Sequence, residues 1–89
     1  MPKLSTVIDE NDEELVALSK LPVGQAAVVV KVDENLRGIK KFADLGLVPG
    51  TLLQLEGHAP FGDLLRVRIM GSSLSLRARD AAFIHVKLT

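Results

Sequence analysis

A chain of 89 residues, 47% hydrophobic but with three Phe and neither Tyr nor Trp, has the material for one small core and no second domain. It has no Cys, which excludes disulfides, thiolate metal centres and cysteine nucleophiles, and no apolar run near the ~18 residues of a membrane-crossing helix. Eleven basic and eleven acidic residues cancel, but residues 1–19 carry −4 and the remainder +4. That is an acidic head on a mildly basic body.

The opening "MPKLSTVIDENDEE" contains no hydrophobic signal core, so the chain is expected to stay in the cytoplasm and not to insert in a membrane. Residues 1–17 read as an acidic extension, disordered or forming a short helix from Asn11, where Glu14 stands at capping-box distance before "LVAL". The compact domain is expected over residues 18–89, starting at "LSKLPVG", where Leu18 and Leu21 anchor the chain and Pro22 and Gly24 turn it.

"QAAVVVKV" alternates as a strand with one side buried, Val28, Val30 and Val32 on one face and Val29 and Lys31 on the other. "DENLRGIKKFADLG" changes to helical spacing through Leu36, Ile39, Phe42, Ala43 and Leu45. Acids stand at its start and Lys40 and Lys41 near its end, as the helix dipole favours. Gly38 weakens this helix, so regular helix is expected to start only there. Gly46 ends it in a left-handed conformation, and Pro49 and Gly50 turn the chain.

Three strands follow, with Leu53 and Leu55, then Leu65, Val67 and Ile69, then Leu74 and Leu76 inward. Gly71 lies in the tight turn between the last two. "RARDAAF" reads as one helical turn and "IHVKL" as a final strand with Ile84, Val86 and Leu88 inward. Five short strands with brief connections predict a mainly β fold, a closed or nearly closed barrel, because closure removes exposed edges. One short helix falls between the first two strands, and the helical turn precedes the last.

This order, with its glycines, resembles the FeoA family, small cytosolic SH3-like proteins of bacterial ferrous iron uptake. The resemblance runs over "LSKLPVG", the valine strand, "FADLGLVPGT", "HAPFGD", "VRIMGSSLSLR" and "AAFIHV", from about Leu18 to Leu88. Lys40 and Lys41 stand where the family's helix is commonly arginine-rich, and Leu64 stands where Pro often follows the Asp. The first 17 residues have no counterpart. The resemblance implies an SH3-like five-stranded barrel and an accessory subunit that binds the cytoplasmic domain of the FeoB transporter and modulates uptake. The alternative is an SH3-like regulatory domain acting with a DtxR-type metal-dependent repressor, although no helix-turn-helix region precedes the domain here.

The residues themselves suggest protein contact and not catalysis. A chain this small spares little for a pocket of roughly 300–1,000 Å³, whereas a protein contact takes about 800 Å² of surface. Leu47 and Val48, straddling the helix stop and the Pro-Gly turn, are read as packing or as a small docking patch. Phe61, at the tip of "APFGD", either covers one barrel end or anchors a partner. Arg66 and Arg68 share a strand face, which is either solvated and paired across strands or, extended by Arg77, Arg79 and Lys87, a surface for an acidic partner.

Nucleic acid is disfavoured, since no Tyr or Trp offers a stacking platform. His58 and His85 are dispersed, with only Asp63 near His58, so no metal site and no cofactor is expected. Ser75 and His85 lack a carboxylate to orient the imidazole, and no phosphate loop or nucleophile elbow occurs, so no enzyme is expected. Open sheet edges would let copies pair, so a homo-oligomer is compatible with the sequence.

Overall fold

The computed structural model describes residues 6–8, 14–58 and 63–89. Seven antiparallel strands form one sheet: β1 (Thr6–Ile8), β2 (Glu14–Ala17), β3 (Ala26–Val32), β4 (Leu52–His58), β5 (Leu64–Ile69), β6 (Ser72–Arg77) and β7 (Ile84–Leu88), in the order β1-β2-β7-β3-β4-β5-β6. Helices α1 (Ile39–Asp44) and α2 (Ala78–Ala81), with a 3-10 turn at Leu18–Lys20, fill the connections. Helix α1 falls between the first two expected strands and α2 before the last, as their sequence spacing requires.

The amino-terminal part departs from expectation. In place of a helix near Asn11, Glu14–Ala17 is extended and pairs with β7 through Val16–Val86 and Ala17–His85. Leu15, expected in the acidic extension, is 0% exposed. A buried leucine and an available strand edge outweigh a weak capping signal, because helices this short gain little without tertiary packing. Residues 11–13, the start of the expected helix, lie outside the described residues.

The core is the inner face of the curled sheet. Leu53 and Leu55, then Leu65, Val67 and Ile69, then Leu76, Ile84 and Val86 point into it as the alternation predicts, while Leu88 is exposed. In β3 the buried face is the one that carries Val29. Ala27 and Val29 are buried and Val28 and Val30 only half so, with Lys31 exposed. The pairing with β7 shifts register between Val29 and Lys31, so one extra residue is accommodated there. A run of valines satisfies either face equally in composition, and the register alone decides. A second irregularity, between Leu55 and Gly57 of β4, helps bend the sheet.

The sheet does not close on itself, since β1 and β6 are its two ends. Helix α2 packs against β5, β6 and the 3-10 turn, and Ala81 and Leu18 are fully buried. The gap that a further strand ladder would close is thus filled by helix and turn. The amide of Ala78 donates to the carbonyl of Asp63, fixing the start of α2 at the head of β5.

Candidate functional site: an apolar corner at the end of helix α1

Asp33 begins the segment that delivers α1. Its carboxylate accepts from the Asn35 amide at 2.8 Å and its carbonyl from Leu36 at 3.0 Å, a turn that buries Leu36. Gly38, at φ 75°, then admits the first helical residue, so regular helix starts where the glycine predicts.

At the other end, the amide of Leu47 donates to Phe42 at 2.9 Å and that of Gly46 to Ala43 at 3.0 Å. These are the two bonds of a Schellman motif, with Gly46 at φ 105°. The motif folds the residue after the glycine back against the helix. Leu47 is therefore 2% exposed and packs in the core cluster that Phe42 flanks. Leu45, the residue after the last helical position, is left 46% exposed, which corrects its placing on the apolar face of the helix. Of the two readings open for Leu47, packing is the one seen, while Val48, at 37%, is exposed.

The Pro-Gly turn that follows is tied to the sheet. Gly50 donates to Val29 at 2.7 Å and Val29 to Thr51 at 2.8 Å. Gly24, φ 89°, donates to Leu55 at 2.7 Å, and Gly71, φ 81°, occupies the β5–β6 turn. Gly24, Gly46, Pro49, Gly50 and Gly71 thus lie in turns or at the helix stop.

Ile69 pairs with Ser72, so the β5–β6 hairpin has the two-residue loop Met70–Gly71. Both residues have positive φ, 52° and 81°, as a type I′ turn requires. Asn is the residue suited to the first position; Met there costs about 1–2 kcal/mol of backbone strain. Met70 is also 81% exposed, and its sulfur and methyl lie 3.9 Å from where a Cβ on Gly46 would stand.

Three exposed apolar residues therefore flank Gly46, Leu45 and Val48 along the chain and Met70 across from it. The sequence reading missed Leu45 and Met70. The signal for Met70 was present in "IMGS", a two-residue turn with the wrong residue for its backbone.

The outer face of β5 is arranged differently. Glu56 on β4 accepts from Arg68 Nε at 3.0 Å and from the Ser73 hydroxyl at 2.6 Å, with Arg68 Nη2 at 2.9 Å and Arg66 Nε at 3.8 Å. The Ser73 hydrogen bond, then Arg68 and Arg66, hold the Glu56 carboxyl below its ordinary pKa against an opposing desolvation. One carboxylate thus serves both arginines. Phe61 lies outside the described residues. His58 and Asp63 are exposed, and no group of three or more metal-ligating residues occurs among the described residues.

His85 is half-buried, and its Nδ1 is buried with no hydrogen-bond partner. Burial pushes its pKa down and Lys31, its register partner on β3, adds to this, while Asp33 opposes. No helix among the described residues is long and apolar enough to cross a membrane.

Over 73 residues the chain is 40% identical to the Fe(2+) transport protein A/Fe(2+) transporter FeoB fusion protein of Porphyromonas gingivalis, covering 80% of this chain and 8% of that one. The chain therefore spans under a tenth of this curated relative. Among solved structures, the zinc-complexed FeoA of Stenotrophomonas maltophilia, described as a prokaryotic SH3 domain protein, superposes with a TM-score of 0.68 at 28% identity. It covers 79% of this chain and 87% of that one. A manganese-dependent transcriptional repressor bound to manganese superposes with a TM-score of 0.78, covering 84% of this chain and 37% of that one. At 19% identity, this is a likeness of fold alone. The FeoA domain family model matches residues 16–88, with the helix, the Schellman stop and the corner all inside it, and the chain belongs to the FeoA family.

Proposed function

We propose that this chain is a non-enzymatic accessory subunit of ferrous iron uptake, working in the cytoplasm, that docks on the cytoplasmic part of a FeoB-type transporter through the apolar corner formed by Leu45, Val48 and Met70. The observation that carries this reading is the Porphyromonas gingivalis relative, in which a matching segment and a FeoB transporter occur in one polypeptide. Covalent fusion raises the effective concentration of two modules that contact each other, and such contact is the simplest reason for joining them.

The corner supplies the means. Its three side chains are exposed, apolar and mounted on a helix stop and a hairpin that the core holds in place. Backbone strain at the exposed Met70 is a local disadvantage of the kind that accompanies contact sites. To modulate transport, the subunit must bind one conformation of the transporter domain better than another.

The test is binding of the purified chain to the isolated cytoplasmic domain by calorimetry. A micromolar complex is expected, weakened at least tenfold by Leu45→Asp. Absence of a complex at high micromolar concentration would defeat the reading. The repressor-linked alternative has the fold likeness in its favour and no feature of the corner.

A further inference from the structure

We infer that a groove between α1 and α2 binds an acidic polypeptide segment. The groove has a volume of about 660 Å³, and Arg37 and Lys41 line one wall while Arg77 and Arg79 line the other. Phe42 and Phe83, half-buried and packed against the core, contribute to its lining. All four cations are exposed, and none forms an ion pair among the described residues. Asp80 is the one acid in the lining, leaving a local excess of three positive charges.

This distribution differs from that of the sheet face. There Arg66 and Arg68 share the carboxylate of Glu56, which leaves an excess of one positive charge against three in the groove. In the groove the charge is available, which makes it the more strongly complementary surface for an anion.

The form of the site favours a length of chain over a single phosphate. Its cations come from three places, the segment leading into α1 together with α1 itself, the end of β6, and α2, so they are spread along the walls. The aromatic rings are held by the core and not free as stacking platforms. Carboxylates spaced along an extended peptide meet spread cations, and an apolar side chain between them meets Phe42 and Phe83. The groove is lined from Asn35 to Phe42 on this side, while the apolar corner begins at Leu45, so the two surfaces use different stretches around α1.

The test uses a short fluorescein-labelled peptide of Glu and Asp with Leu and Phe at its centre, and a matched peptide with Gln and Asn in place of the acids. Fluorescence anisotropy is expected to give a dissociation constant on the order of 100 μM at low ionic strength for the acidic peptide. Removing a cation, as in Arg37→Gln or Arg79→Gln, is expected to weaken it roughly two- to fivefold each. The Arg66→Gln/Arg68→Gln variant is expected to bind unchanged, and amide shifts should centre on 35–42 and 77–83.

The proposal is overturned if the uncharged peptide binds as well, if the groove variants bind normally, or if the shifts centre on β5. It is also overturned if inorganic phosphate or duplex DNA occupies the groove more tightly than the peptide. All variants are exposed substitutions, and a retained melting temperature verifies their folding. Loss of peptide binding with transporter binding intact would refute the groove alone, whereas the reverse would refute the corner.

Discussion

Leu47 and Val48 are adjacent in sequence and opposite in role. Leu47 sits in the core because the Schellman turn returns it there, so Leu47→Ala should cost about 2–4 kcal/mol, including the cavity it leaves. In a domain of this size that lowers the thermal midpoint by about 10 °C or more. Val48→Asp, at an exposed position, should change stability by no more than about 0.5 kcal/mol. Thermal unfolding of the two variants side by side checks the assignment, and equal midpoints would mean the corner is oriented otherwise.

His85 makes a prediction in pH. Its folded-state pKa lies below the ordinary 6.5, so the unfolded chain takes up its proton first as acid is added. The stability that neutral His85 permits is full above about pH 6.5 and is lost as pH falls from there through its depressed folded value. Glu56, also depressed, acts in a lower window, below 4.5. Melting temperatures between pH 5 and 7.5 should fall on acidification in the native chain and flatten in His85→Gln. A slope that survives the substitution would assign it to another group.

At the scale of elements, the helix stop does the most to organise the surface. A Cβ on Gly46 would stand 3.0 Å from Ile69 Cγ2, and the residue has φ 105°. Gly46→Ala thus combines backbone strain with a tight contact against a core side chain, and should destabilise by about 2 kcal/mol or more. Gly50→Ala meets no atom within 4 Å and should cost only the conformational part. If the two variants unfold at the same temperature, helix α1 is not pinned to β5 in this way.

The helix stop also explains what the residue pattern conveyed and what it withheld. Alternation located β4 to β7 and the inward sets of β4, β5 and β6, because each has one polar face. It located β3 without fixing which face is buried, since valine fills both faces and a bulge sets the register. Helical spacing placed α1, yet it put Leu45 inward by extending the 3.6-residue period past the point where Gly46 breaks it. The strand at Glu14–Ala17 was hidden because its partner, β7, lies at the far end of the chain, and no local signal records such a pairing.

Over the whole molecule, a single-faced curled sheet uses most of its aliphatic residues on the core, and its exterior divides into distinct surfaces. On the face of β5 two arginines share the one carboxylate of Glu56, the groove beside α1 keeps a larger positive excess, and the corner at Gly46 is apolar. Function on such a scaffold is expected from contact, and the partner proposed above is a transporter of the kind joined to the matching segment in the Porphyromonas gingivalis relative. Met70 offers a way to separate contact from stability. Met70→Asn suits the type I′ turn and should raise stability by about 0.5–1 kcal/mol, while removing an exposed anchor.

Titration of the isotope-labelled chain with a FeoB-type cytoplasmic domain, followed by amide chemical shifts in the native chain and in Met70→Asn, is the most direct test. The account predicts a complex whose shifts are largest at Leu45, Gly46, Val48 and Met70, and which the more stable Met70→Asn variant forms at least fivefold more weakly, a loss of about 1 kcal/mol. A complex centred on Arg66 and Arg68, or one that Met70→Asn forms as tightly as the native chain, would contradict it.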